Sequence, residues 1–315
     1  MKRKKRDDHL KGETEMKKIA WAVSLTVILG VITGIVSLRL TSALEKDAEE
    51  VHNEQAFSGE EVRSIDIDTS TADVQIIKGV NNQIQVELFG SNLDLEKYLY
   101  QVQLADGVLG IELNKKRRLG FSLDFFNQDS MRVKVTVPDQ TFDSLKLQTS
   151  SSSVKLHNLK AVSATVESSS GDIQIGGAQI NEKLMVRSSS GEITLNHMDG
   201  SEAKAEIRTS SGHVRGDDIS FVHTEAETSS GDVNLNYRSL HGDIFAHTSS
   251  GNVELSFNDE PSSLTIDYDS SSGEELIQLG GIDYEERTEH KVKGQKGKGK
   301  YQVKVETSSG DFSIE

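Results

Sequence analysis

Ser168-Ser169-Ser170-Gly171-Asp172-Ile173-Gln174-Ile175 is one copy of a phrase that returns down the chain. The next copy is Ser188-Ser189-Ser190-Gly191-Glu192-Ile193-Thr194-Leu195, and others centre on Gly212, Gly231, Gly251, Gly273 and Gly310. From Gly171 onward the glycines are spaced by 20, 21, 19, 20, 22 and 37 residues. A fixed period near 20 marks a stacked architecture, in which each unit buries its apolar face against its neighbours.

Within one copy the apolar residues alternate. Leu184 and Val186 interleave with Lys183, Met185 and Arg187, and after the corner Ile193 and Leu195 interleave with Glu192 and Thr194. That is strand periodicity. One repeat of about 20 residues is therefore two short strands joined by a turn, and the chain reads as all-β: a β-solenoid whose two sheets face each other across a thin core. Glycine is expected at the corner because it accepts left-handed or strained conformations cheaply.

Continuing the alternation into the serine run turns Ser168 and Ser170 inward, with Ser188 and Ser190, Thr209 and Ser211, Thr228 and Ser230, Thr248 and Ser250, and Ser270 and Ser272. A hydroxyl donates and accepts at once, so stacked hydroxyls are expected to form ladders along the solenoid. Recurrence in every copy argues against nucleophilic catalysis, which needs one serine, and no G-x-S-x-G elbow is present.

Degenerate copies occur at Thr69–Ile76 and Thr149–Leu156. Between them the period breaks, with strands expected at 83–88, 100–104, 108–113 and 131–137 and a hairpin turn at Asp106-Gly107. The expected organisation is a basic tail at 1–18, a transmembrane segment at 19–40, a linker at 41–60, an N-terminal β region or cap at 61–140 and the repeat solenoid at 141–315. The 37-residue interval holds a basic insertion near 283–300, expected as a long flexible hairpin.

Ile19 to Leu38 is an uncharged stretch of 20 residues, the length that spans a bilayer. Basic residues precede it and Glu45, Asp47, Glu49 and Glu50 follow, so an uncleaved signal anchor is expected, with a cytoplasmic N-terminus and an extracytoplasmic main domain. Thr41-Ser42-Ala43 is a poor match to a cleavage site. Met16 is a second candidate start. The first 40 residues hold nine of the 35 Lys+Arg and four of the 50 Asp+Glu, which leaves 26 against 46 beyond them, net −20. Such a domain does not bind nucleic acid as its main business. The chain has no cysteine and two prolines, so stability rests on the stacked core rather than on disulfides.

The Ser-Ser-Gly-Asp repeats, the anchor, and the terminal run of Gly297, Gly299, Tyr301 and Thr307 to Asp311 together resemble the putative adhesin (LiaG-like) family of Gram-positive bacteria over roughly residues 60–315. The resemblance implies an extracytoplasmic β-solenoid on a bacterial membrane, no established enzymatic activity and no catalytic residues.

Three candidate sites arise. The residue after each repeat glycine is Asp172, Glu192, His213, Asp232, Asn252, Glu274 or Asp311, a column that fits either calcium or side-chain bonds to turn amides. The G-G-x-G-x-D nonapeptide of calcium β-rolls is missing, and no cofactor motif is present. Lys115, Lys116, Arg117 and Arg118 run into Phe121, Phe125 and Phe126, which suits either lipid contact or a plug for the open end of the stack. Lys291, Lys293, Lys296, Lys298 and Lys300 fit either an anionic wall polymer or lipid, or a solvated loop. The nine histidines show no zinc spacing.

The expected function is a non-enzymatic, membrane-anchored protein presenting an interaction surface to a membrane protein or wall component, accessory to envelope stress response. The alternative is an adhesin or wall-binding scaffold. An enzyme acting on polysaccharide is remote, since the one Trp lies in the membrane segment and leaves no tryptophan to stack on sugar.

Overall fold

The computed structural model describes residues 50–90, 95–116 and 131–315. The basic tail, the expected anchor and residues 117–130 lie outside this set. Among the described residues no helix is long and apolar enough to cross a membrane.

The chain enters on β1 (Glu50–Ser58) and makes its first coil from β2 (Ser64–Thr69) and β3 (Asp73–Lys78). Residues 50–58, expected as linker, are therefore a strand, paired antiparallel with β4 (Gln83–Gly90). A hairpin follows, β5 (Tyr98–Ala105) and β6 (Val108–Lys115), turning at Asp106-Gly107 with φ of 52° and 81°. Next come β7 (Met131–Val137), β8 (Thr141–Thr149), β9 (Val154–His157), β10 (Lys160–Ser168), β11 (Ile173–Gly176) and β12 (Gln179–Ser188). The long β13 (Ile193–Arg208) and β14 (Val214–Thr228) each pass from one side of the solenoid to the other. The remainder is β15 (Val233–Ser239), β16 (Asp243–Thr248), β17 (Val253–Asp259), β18 (Leu264–Ser272), β19 (Glu275–Ile277), β20 (Ile282–Thr288), β21 (Lys291–Lys296), β22 (Tyr301–Ser309) and β23 (Phe312–Ile314).

Parallel pairing builds two ladders. The first runs β6-β2-β8-β10-β12-β13-β14-β16-β22-β18, with β5 added at one edge and β21 and β20 at the other, all antiparallel. The second runs β7-β3-β9-β11-β13-β14-β15-β17-β23-β19, edged by β4 and β1. Ten coils result among the described residues, and their spatial order departs from chain order at both ends. The first coil, β2-β3, lies inside the later β6-β7 coil. The last coil, β22-β23, lies between β16-β17 and β18-β19. The hairpin β20-β21 explains the 37-residue interval: it covers β18, and the chain then returns to fill the slot.

Both ladders turn their alternating apolar residues inward, as the sequence pattern requires. Leu184, Val186, Ile193 and Leu195 are each fully buried, as are their counterparts in most coils. Fully buried Thr224 is a polar exception, and burial pushes up the pKa of the Tyr237 hydroxyl, which is also in this core.

The corner differs from expectation in two ways. First, in these six glycine-bearing copies only the leading hydroxyl is buried: Ser168, Ser188, Thr209, Thr228, Thr248 and Ser270 face in, whereas Ser170, Ser190, Ser211, Ser230, Ser250 and Ser272 are exposed. The backbone leaves the strand conformation at the corner, so strand parity does not carry through it. At Ser168, Ser188, Thr209 and Thr228 the buried hydroxyl accepts the N–H of the glycine three residues on (Gly171 to Ser168 Oγ, 2.9 Å; Gly191 to Ser188 Oγ, 2.9 Å). At Thr209, Thr228, Thr248 and Thr307 the hydroxyl donates to the glycine carbonyl of the adjoining coil (Thr228 Oγ1 to Gly212 O, 3.0 Å). The ladder is hydroxyl-to-backbone rather than hydroxyl-to-hydroxyl. Second, Gly171, Gly191, Gly212, Gly231, Gly251 and Gly310 are not in the left-handed region. They are required by contact: a β-carbon on any of them would lie 1.9–2.1 Å from the carbonyl oxygen of the corner residue stacked against it.

Candidate functional site

The acidic column at the corner is engaged by its own fold. Asp172 Oδ1 accepts the Glu192 N–H at 2.9 Å, His213 Nδ1 accepts the Asp232 N–H at 3.0 Å, and Asp232 Oδ1 accepts the Asn252 N–H at 2.9 Å. Asn252 Oδ1 then takes the Asp311 N–H and Asp311 Oδ1 the Glu274 N–H, each at 2.9 Å. These five side chains thus cap the amide of the next coil, whereas the Glu192 carboxylate takes Thr194 and Arg215 instead. Asp and Asn serve alike, which explains why the column tolerates both. Among the described residues no group of three or more His, Asp or Glu is placed to hold a metal.

The basic candidates separate. Lys115 and Lys116 end β6; the Lys115 N–H donates to Ser70 Oγ at 3.1 Å and Lys116 Nζ to the Glu96 carbonyl at 3.0 Å. Arg117, Arg118, Phe121, Phe125 and Phe126 lie outside the described residues. The C-terminal lysines are not on a free loop, because β21 pairs with β18 over six residues. Lys291 and Lys293 lie on the outer face of the first ladder, with Lys291 3.3 Å from Glu286. Lys296 pairs with Glu260, and Lys300 Nζ stands 4.5 Å from the Tyr301 ring centroid. The N–H groups of Lys298 and Lys300 both donate to Ser263 Oγ.

Strand register assembles a surface that repeat-by-repeat reading misses. Outward residues of the first ladder fall into columns that cross twelve strands. Next to the corner, Gln101, Glu112, Asp68 and Gln148 pass into Glu167, Arg187, Arg208 and Glu227, then His247, Glu306, Asp269 and Lys291. The adjacent column runs from Gln103, Gly110, Asp66 and Lys146 through Thr165, Met185, Glu206 and Glu225 to Phe245, Lys304, Asp267 and Lys293.

Ion pairs lace its middle. Lys183 lies 2.9 Å from Glu206, and Arg208 lies 2.6 Å from Glu225 and 3.2 Å from Glu227. The hydrogen bond from Lys183 holds the Glu206 carboxyl below its usual range, and that from Lys304 does the same for Glu306. Exposed pairs of this kind add little stability each, so the column is better read as a surface pattern than as a scaffold. Met185 and Phe245 are half-buried apolar members, the latter 5.3 Å from the His223 ring. Open depressions lie along this face: one of about 530 Å³ between Arg187, Arg208 and the exposed Ser169, Ser189 and Ser210, and one of about 360 Å³ at Phe245, His247 and Lys304. A third, of about 390 Å³, surrounds Gly110.

Ten stacked two-strand coils with polar outer sheets define a β-solenoid of the two-sheet type. Residues 62–315 match the Toastrack DUF4097 family, and the chain belongs to that family. No curated protein matches the chain. Among solved structures it is similar to a putative adhesin from Bacteroides fragilis (11% identity, 85% of this chain and 98% of that one, TM-score 0.40). It is also similar to a putative adhesin from Parabacteroides distasonis (10% identity, 83% and 96%, TM-score 0.35). A third is a putative cell adhesion protein from Clostridium sporogenes (10% identity, 85% and 99%, TM-score 0.24).

Proposed function

We propose that the chain is a LiaG-like, membrane-anchored extracytoplasmic protein without catalytic activity, accessory to the cell-envelope stress response, whose solenoid offers the outer face of its first ladder to a membrane protein or wall component. The observation that carries this reading is the twelve-strand face itself. A surface kept in register over that many strands, with shallow polar depressions and two half-buried apolar side chains, suits a broad partner better than a small substrate held in a cleft. The uncharged run at 19–38, behind a basic tail, supports the anchor.

A second reading, a surface scaffold or adhesin that binds wall glycan, is supported by the hydroxyl-lined depression at Ser169, Ser189 and Ser210. Labelling of the full chain in intact cells with a membrane-impermeant amine reagent tests the location. Lys183 and Lys204 on this face should label without lysis. Labelling of these lysines only after lysis contradicts the reading.

A further inference from the structure

Gly110 stands apart from Gly176, Gly200, Gly216 and Gly294, other glycines within strands. It occupies the middle of β6, where glycine weakens a strand. A β-carbon on Gly200 would meet Phe221 at 2.3 Å, and one on Gly294 would meet Ile282 at 2.7 Å, so packing requires those glycines. A β-carbon on Gly110 would meet only the Gln103 carbonyl oxygen, at 3.8 Å, and its φ is not in the left-handed region. Neither packing nor backbone conformation demands a glycine here. What its absent side chain does is leave a saddle in the outer face, the floor of the groove of about 390 Å³.

Register fixes what surrounds the saddle. Gln103 and Asp66 flank Gly110 in the same row, with Lys146 beyond Asp66; Gln101, Glu112, Asp68 and Gln148 form the next row. Gln103 Nε2 donates to Gln101 Oε1 at 3.2 Å, and Lys146 Nζ lies 3.5 Å from Asp66 Oδ2. Val108, 41% exposed, supplies an apolar edge.

We infer that this groove binds a glycan segment carrying no negative charge. Carboxylates accept from vicinal hydroxyls, and carboxamides both donate and accept, so a planar array of both fits a polyol. The glycine lets a sugar ring approach the backbone. Three carboxylates against the one ammonium of Lys146 give the groove a net charge of −2, which repels phosphate- or carboxylate-bearing polymers. The inference deepens the surface-binding reading and names a chemistry for one end of the face.

The test uses the full chain in lipid nanodiscs, titrated calorimetrically with an N-acetylated hexosamine oligomer, its deacetylated form and a poly(glycerol phosphate). One or both hexosamine oligomers should bind saturably and the phosphate polymer should not. Gly110→Val should weaken that binding at least tenfold while leaving the melting temperature unchanged or raised, and Asp66→Asn should weaken it as well. Tighter binding of the phosphate polymer, no binding of either hexosamine oligomer, or unchanged binding by Gly110→Val overturns the inference. So does a large fall in melting temperature for Gly110→Val, which would make the glycine structural. None of these results bears on the location of the domain, which the labelling experiment decides separately.

Discussion

A β-carbon placed on Gly191 would lie 2.1 Å from the carbonyl oxygen of Gly171. Two adjacent coils meet at this point with no room for a side chain, and the same contact recurs up the stack. Gly191→Ala should force the coils apart and cost about 2–3 kcal/mol, the upper part of the range for an overpacked interior. Gly110→Ala, with open space around it, costs nothing measurable. Thermal or denaturant unfolding of the two variants, side by side, checks the contrast.

Thr228 Oγ1 accepts the Gly231 N–H at 3.2 Å and donates to the Gly212 carbonyl at 3.0 Å. Thr228→Val keeps the volume but leaves both backbone groups without that partner, an expected loss of about 2 kcal/mol. Thr228→Ser should retain most of the stability. Equal stability of all three forms would mean that the corner hydroxyls merely fill space.

The acidic column is expected to be indifferent to calcium. Added Ca²⁺ or a chelator should leave the melting temperature of the full chain unchanged, because Asp172, Asp232 and Asp311 each cap a neighbouring amide. Asp172→Ala should destabilise by about 1 kcal/mol and Asp172→Asn by less. A calcium-dependent melting temperature abolished by Asp172→Ala contradicts this.

Asp139 accepts hydrogen bonds from Lys160 (2.8 Å) and Lys78 (2.7 Å), and these hold its carboxyl down at about 2. A carboxyl whose pKa is lowered by folding contributes stability above its unfolded value, near 4. That contribution is lost as pH falls from about 4 toward about 2. Acid unfolding of Asp139→Asn should therefore be shallower than wild type in that window, with no difference in slope near neutrality.

The slot between β16-β17 and β18-β19 is filled by the last residues of the chain. Removal of residues 301–315 strips β18 of its parallel partner β22 and separates it from β16. Limited proteolysis of the truncated chain should then cut within residues 264–279, and a peptide spanning 301–315 added in trans should restore protection. Full protection without the peptide would show that the last coil does not hold its neighbours.

The sequence made the coil legible because its signals are local. Leu184, Val186, Ile193 and Leu195 alternate, and the corner glycines punctuate them at a fixed spacing. It could not show which coils touch, because period alone does not say that Thr307 stacks between Thr248 and Ser270. Parity turns Ser170 inward on paper, but strand parity lapses where the backbone bends and the side chain is exposed. Corner glycine reads as a conformational need, which holds at Gly273 with φ of 153°, whereas at the other corners the requirement lies in the neighbouring coil. The outer face was hidden for a similar reason: Gly110, Asp66 and Lys146 come from three separate segments and become a row only through register. The hairpin lysines looked like a loop because nothing in their composition reveals β18 as a partner.

The most direct test is photo-crosslinking of the full chain in intact cells, with probes at Met185 and Phe245 on the outer face of the first ladder and at Asn234 on the outer side of the second. A specific membrane or wall component should be captured from Met185 and Phe245 and be absent at Asn234. Capture at Asn234 alone, or equally from all three positions, would contradict it.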